Sequence, residues 1–156
     1  MMIALLATLL LAQPTLPVRP IADAPRLAAE LGQGKPVVLH FWATWCGACV
    51  AEFPRIRDEL HKLSRSGVQV ALVSIDSPKD AAKVQQFLER FQLQDLPALI
   101  LDAPDPEPVA KAVGDKRWDG TLPATFVFDA RAKLSRSFIG RTNAAALDAA
   151  ARKVTH

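Results

Sequence analysis

Cys46 and Cys49 are the only two cysteines of the chain, and two residues separate them. Thiols at that spacing can hold a metal ion, close a disulfide staple or exchange electrons with another disulfide. Structural zinc needs four ligands. Beyond the two sulfurs the candidates are His40, His61 and His156, none of them paired at ligand spacing, so no metal site is expected. A permanent staple across so short a loop constrains the unfolded chain little. Redox exchange fits the surroundings better. "PVVLHFWA", ahead of the cysteines, is a dense apolar run of strand length. From Cys46 onward Phe53, Ile56, Leu60 and Leu63 recur at helical spacing, and Gly67 closes the segment. The first thiol therefore stands where a strand hands over to a helix. Unpaired N–H groups and positive dipole charge gather at such a point, and both stabilise a thiolate. A thiolate is the species that attacks disulfides. Cys49, one turn further in, would be shielded and placed to resolve a mixed disulfide.

The rest of the chain must hold this junction in place. Pro54 falls inside the helix, where its missing N–H predicts a kink. "VQVALVSID" reads as the next strand, and Val84, Phe87, Leu88 and Phe91 mark the next amphipathic helix. A β-α-β-α order indicates an α/β fold with parallel strands and crossover helices. "LPALILDA" reads as a further strand, "PDPEP" as a loop and "VAKAVG" as a short helix. "ATFVFDARAKLSRSFIG" has the form of a hairpin turning around Asp129 to Ala132. Thr142 or Asn143 can cap a last helix whose Leu147, Ala150, Ala151 and Val154 share a face.

At 156 residues, half of them apolar, the chain suits one domain with its own core. Aromatic residues make up 6% and Tyr is absent, which argues against stacking platforms for nucleic acid. The net charge of +3 is scattered among acids, so no nucleic-acid partner is expected. Met1 to Ala12 is apolar but too short to cross a bilayer as a helix. Its length suits a secretory signal with Ala12 at the cleavage site, although no Lys or Arg precedes the apolar run. An uncleaved anchor is the alternative, and the only membrane contact expected is through it. "QPTLPVRPIADAP" carries four prolines and reads as an extended linker, followed by a short helix from Arg26 to Leu31. Residues 1–20 are thus assigned to a signal or anchor plus linker, and 21–156 to the domain.

"FWATWCGACVAEFP" resembles the active-site segment of thioredoxin-fold proteins, most closely the exported TlpA/ResA-like thiol–disulfide oxidoreductases. "GTLPATFVFD" resembles that family's second signature. The resemblance covers about Lys35 to Gly140. It implies a thioredoxin-like three-layer fold: a central mixed β-sheet flanked by helices, with an added strand and helix around Ser77 to Ala112. It implies that Pro123 follows a cis peptide facing the disulfide, with the Leu122 backbone free to pair with a substrate peptide. It implies protein disulfides as substrates, reduction outside the cytoplasm, apocytochrome c haem-site cysteines as a substrate class, a membrane thiol-relay protein as electron donor, and no cofactor. A disulfide oxidase or isomerase of secreted proteins, and a copper-binding chaperone module, are the alternatives.

This sequence departs from the family at several points. Ala48 stands where many relatives have Pro, so no redox potential can be borrowed. The β-hairpin that often opens these domains is not evident before Lys35. His40 occupies the strand position where thioredoxins carry a buried acid; it is either a hydrogen-bonded core residue or a proton relay to Cys49. Glu52 does match a family acid three residues after the second cysteine. Positions i and i+3 share a helix face, so its carboxylate either moves the Cys49 proton or is an exposed acid favoured by the helix dipole. Trp42 is expected to pack beneath the site, Trp45 to offer substrate an apolar wall, and Trp118 to border the same groove or cover a loop.

Overall fold

The computed structural model describes residues 15–105, 109 and 113–156. A six-stranded sheet with order β1-β4-β3-β2-β5-β6 forms the middle layer. Its strands are β1 (Val18–Pro20), β2 (Val37–Trp42), β3 (Gln69–Ser74), β4 (Ala98–Asp102), β5 (Ala124–Phe128) and β6 (Leu134–Ile139). The first four run parallel to one another, and β5 and β6 are antiparallel additions beside β2. The helices are α1 (Leu27–Gly32), α2 (Gly47–Arg65), α3 (Ala81–Arg90) and α4 (Ala144–Val154).

Central β2 is buried along its whole length, so both of its faces must be apolar. Alternation along the strand sends Val38 and Trp42 to one side, against Phe53, Ile56 and Leu60 of α2, Val84 and Leu88 of α3 and Leu147 of α4. Val37, Leu39 and Phe41 go to the other, against Leu27 of α1, Trp118 and Phe126. The three layers expected from the resemblance are present, with α3 and β4 forming the added segment. Connections β2-α2-β3 and β3-α3-β4 step outward in the same direction, so right-handed crossovers put both helices on one face.

One local expectation needs correction. The Pro-rich stretch read as a linker supplies β1, which pairs with β4 in the register Val18↔Ile100. An edge position explains why it tolerates prolines: Pro20 has no N–H to donate and an edge strand need not use one. Arg19 then ties the edge down through Asp23 and Glu30, each at 2.6 Å. No opening hairpin occurs among the described residues. α2 runs continuously through Pro54 to Arg65. The "VAKAVG" helix and the "PDPEP" loop fall largely on 106–108 and 110–112, and the signal or anchor on 1–14, all outside the described residues. Among the described residues no helix is long and apolar enough to cross a membrane.

Candidate active site

β2 ends at Trp42 and α2 begins at Gly47, leaving Cys46 as the N-cap of the helix in an extended conformation. Cys46 and Cys49 are joined as a disulfide, with Cα atoms 5.3 Å apart. The Cys46 sulfur also accepts the Cys49 backbone N–H at 3.1 Å. An N-cap normally offers an oxygen to one of the orphan N–H groups of the first turn. Here a sulfur does so, and once reduced it would hold negative charge better than an ordinary thiol. Exposure separates the pair: Cys46 retains 8% and Cys49 none. The outer sulfur is the one a partner can reach.

The loop between β2 and α2 is held by residues that the sequence reading left unassigned. Asp76, two residues past the end of β3 and buried, accepts from the Thr44 backbone N–H at 2.9 Å and from Thr44 Oγ1 at 2.5 Å. Ser74 Oγ donates to the same carboxylate at 2.7 Å. Ile75 N–H donates to Trp42 O at 3.0 Å and Cys46 N–H to Ala43 O at 3.2 Å. One signal was available. An acid at the carboxyl end of a parallel strand lies where α/β sheets build their sites.

Pro123 reaches this end of the sheet through strand register. Phe41 pairs with Ala124 in an antiparallel register, so the residues after Phe41 and those before Ala124 leave the sheet at the same end. The Leu122–Pro123 peptide is cis. Pro123 O accepts from Gly140 N–H at 2.9 Å, and half-buried Leu122 packs against both halves of the core. Beneath this loop Trp118 is buried against Phe41 and Phe126, its Nε1–H donating to Thr121 O at 2.8 Å. It covers the loop from inside and does not line a groove. Trp42 packs edge-on against Phe53 at 4.9 Å. Trp45, 65% exposed, is by contrast available as an apolar wall.

Glu52 is not an exposed acid. It is 2% exposed, on the inward face of α2 one turn beyond Cys49. Its Oε1 accepts the backbone N–H of Thr142, and its Oε2 lies 3.8 Å from His40 Nε2. His40 Nδ1 is 2.8 Å from Thr125 Oγ1, which is 2.8 Å from Thr142 Oγ1. Thr142 is thus drawn inward, and Asn143 caps α4 by accepting the Ala146 N–H. The facing atoms His40 Nε2 and Glu52 Oε2 are buried with no hydrogen-bond partner among the described residues. Burial pushes the Glu52 carboxyl above its ordinary value, against the weaker opposing effect of the Thr142 N–H. Burial likewise holds the His40 imidazole down, at about 4. His61, one of the three histidines weighed as ligands, is half-buried on α2, with Nε2 2.8 Å from Gln92 O.

The His40 shift has a measurable consequence. Unfolded, the imidazole takes up a proton near its ordinary 6.5, whereas folded it stays neutral until about 4. The unfolded state therefore binds more protons in that window, and stability falls as pH drops through it, by about 3 kcal/mol in all. Glu52 acts in the opposite sense, stabilising below its ordinary value and losing that contribution as pH rises. It is common to wild type and a His40→Asn variant, so it largely cancels in their difference. Urea midpoints at pH 7 and pH 4.5 should show the steeper acid loss in wild type only. Parallel losses would remove His40 as its source.

The sequence profile of the AhpC/TSA family matches residues 22–137. The thiol-disulfide oxidoreductase ResA of Geobacillus thermodenitrificans is 34% identical over 108 residues, covering 69% of this chain and 56% of that protein. The chain thus spans little more than half the length of that relative. A thioredoxin of Mycobacterium tuberculosis is 33% identical over 96 residues, covering 62% of this chain and 76% of its own. Among solved structures, a thiol:disulfide interchange protein of the thioredoxin family from Chlorobium tepidum superposes with a TM-score of 0.63 at 22% identity. That match covers 83% of this chain and 85% of the other, and shows the shared fold.

Proposed function

The chain belongs to the AhpC/TSA family, on a thioredoxin-like fold, and from that premise we propose that it is a thiol–disulfide oxidoreductase that reduces protein disulfides outside the cytoplasm. The observation that carries this reading is the reach of the Cys46 sulfur to the first-turn N–H of α2 while it is bonded to the buried Cys49. In the reduced protein the Cys46 thiolate attacks one sulfur of a substrate disulfide, and the other substrate sulfur leaves as a thiolate. Cys49 then loses its proton and attacks the Cys46 sulfur, breaking the mixed disulfide. Two electrons pass to the substrate, and the Cys46–Cys49 disulfide forms. The proton goes to Glu52, with His40 behind the carboxylate as its neutral partner. An external dithiol returns the chain to its reduced form, and a membrane thiol-relay protein is the donor proposed. Leu122 and Pro123, which precede β5 at the end of the sheet where β2 leads to Cys46, would align an extended substrate beside exposed Trp45. The apolar residues Met1 to Ala12 support work beyond the membrane, and cytochrome c haem-site cysteines are the substrate class proposed from the family resemblance.

Equilibration with glutathione tests the direction of electron flow. A reductase should have a potential of about −250 mV or lower, near thioredoxin, and should accelerate insulin reduction by dithiothreitol; a value near about −120 mV would make the chain an oxidant instead.

A further inference from the structure

We propose that Asp76 is a positioning residue for the nucleophilic sulfur, acting through Thr44 to set where the extended loop delivers Cys46 to the helix. This rests on the oxidoreductase reading above.

The turn from Ala43 to Trp45, between β2 and the Cys46 N-cap, has neither strand nor helix ladder to hold it. Its entry is held by Ile75 N–H on Trp42 O and its exit by Val50 N–H on Cys46 O, while the Cys46 N–H bond to Ala43 O closes the turn on itself; among the described residues, Thr44 alone between those points is hydrogen-bonded outside the turn. Trp45, the residue before Cys46, is largely exposed and anchors nothing. Both donors of Thr44 converge on one carboxylate, which a second strand end holds through Ser74. A buried carboxylate is tolerated only when its oxygens are fully engaged. Those of Asp76 are engaged, and the groups they engage are the backbone and side chain two positions before the reactive thiol. If that clamp is lost, the Cys46 sulfur no longer meets the first-turn N–H groups at a fixed distance, and thiolate stabilisation weakens.

Charge and geometry act in opposite directions here, which makes the idea testable. A negative group near Cys46 disfavours the thiolate, so removing charge alone would shift thiolate formation to lower pH. Losing the clamp shifts it to higher pH. Asparagine can rebuild the clamp: its carbonyl accepts from Thr44 N–H and Ser74, while its amide donates to Thr44 Oγ1, whose hydroxyl can rotate.

The experiment is iodoacetamide alkylation of Cys46 in the reduced full chain, followed by mass spectrometry as a function of pH. Asp76→Ala should move the midpoint upward by about one pH unit, a tenfold loss of rate on the acid side. Asp76→Asn should rescue the midpoint to the wild-type value or below. Thr44→Val keeps the carboxylate and the backbone bond but removes the hydroxyl donor. It should move the midpoint in the same direction as Asp76→Ala by a smaller amount, and it provides the test should the alanine variant not fold. Equal midpoints in wild type, Asp76→Ala and Thr44→Val would overturn the role of Asp76 alone. A wild-type Cys46 that titrates like an ordinary cysteine would overturn the role together with the function it rests on.

Discussion

Cys49→Ser should accumulate mixed disulfides with protein partners, Cys46→Ser should accumulate none, and neither should reduce insulin above background. Cys46 caps α2 and is partly exposed, whereas Cys49 has no exposed surface and lies one turn in. Only the first sulfur can meet a substrate disulfide, and only the second can reach the first once a substrate is attached. With Cys49 gone the covalent complex has no internal route to resolution, so the loss of turnover is complete. Alkylation of the wild-type dithiol should show the same asymmetry, with Cys46 reacting well below the ordinary cysteine value of about 8.5. Equal reactivity of the two thiols across that range, or adducts formed by the Cys46→Ser variant, would reverse the assignment.

Glu52→Gln should slow resolution of the mixed disulfide at pH 7 by about a hundredfold while leaving the first attack nearly unchanged. The substitution is close to isosteric, and the amide oxygen can still accept the Thr142 N–H that the carboxylate accepts. What it removes is a proton acceptor. Two effects on Cys49 compete. A nearby negative charge raises the thiol's pKa, so the neutral amide favours the thiolate; but the amide cannot take the proton. Because Cys49 and Glu52 are both buried on one helix face, water is a poor substitute acceptor. Loss of the acceptor should therefore dominate. In the variant the resolution rate should climb steadily with pH as hydroxide takes over. In wild type it should level off once pH passes the raised value of the Glu52 carboxyl. Stopped-flow measurement of both phases decides the matter, and superimposable resolution profiles would leave Glu52 only its tie to Thr142.

Much of the fold was legible in sequence because its signals are local. β2, β3 and β4 are dense apolar runs, α2 and α3 show helical spacing, and the β5–β6 turn carries Asp129, whose Oδ1 accepts the N–H groups of Arg131 and Lys133. Val18–Pro20 was not legible as β1, because three residues with a proline carry no strand period. Its pairing depends on β4, some eighty positions away. Trp118 was ambiguous for a similar reason: nothing near it in sequence says whether an indole faces solvent or Phe126.

The pairing of Cys46 with Cys49 was legible in the sequence. Two thiols at a strand-to-helix junction need only local backbone to become a capped, unequal pair, and Cys46 and Cys49 form that pair in the folded chain. The environment around that pair comes instead from packing between distant segments. Glu52 lies on one face of a helix whatever the fold, but whether that face is wet depends on where β2 and α4 pack against it. Thr142, ninety positions later, supplies the N–H that lets a carboxylate exist there. His40 could have been a satisfied core residue; strand alternation put it on the α2 side, facing Glu52 across 3.8 Å. Asp76 gained its position only when β3 paired with β2 and brought its carboxylate to Thr44. Burial and partnership are properties of contacts between distant segments, and no spacing within one segment encodes them.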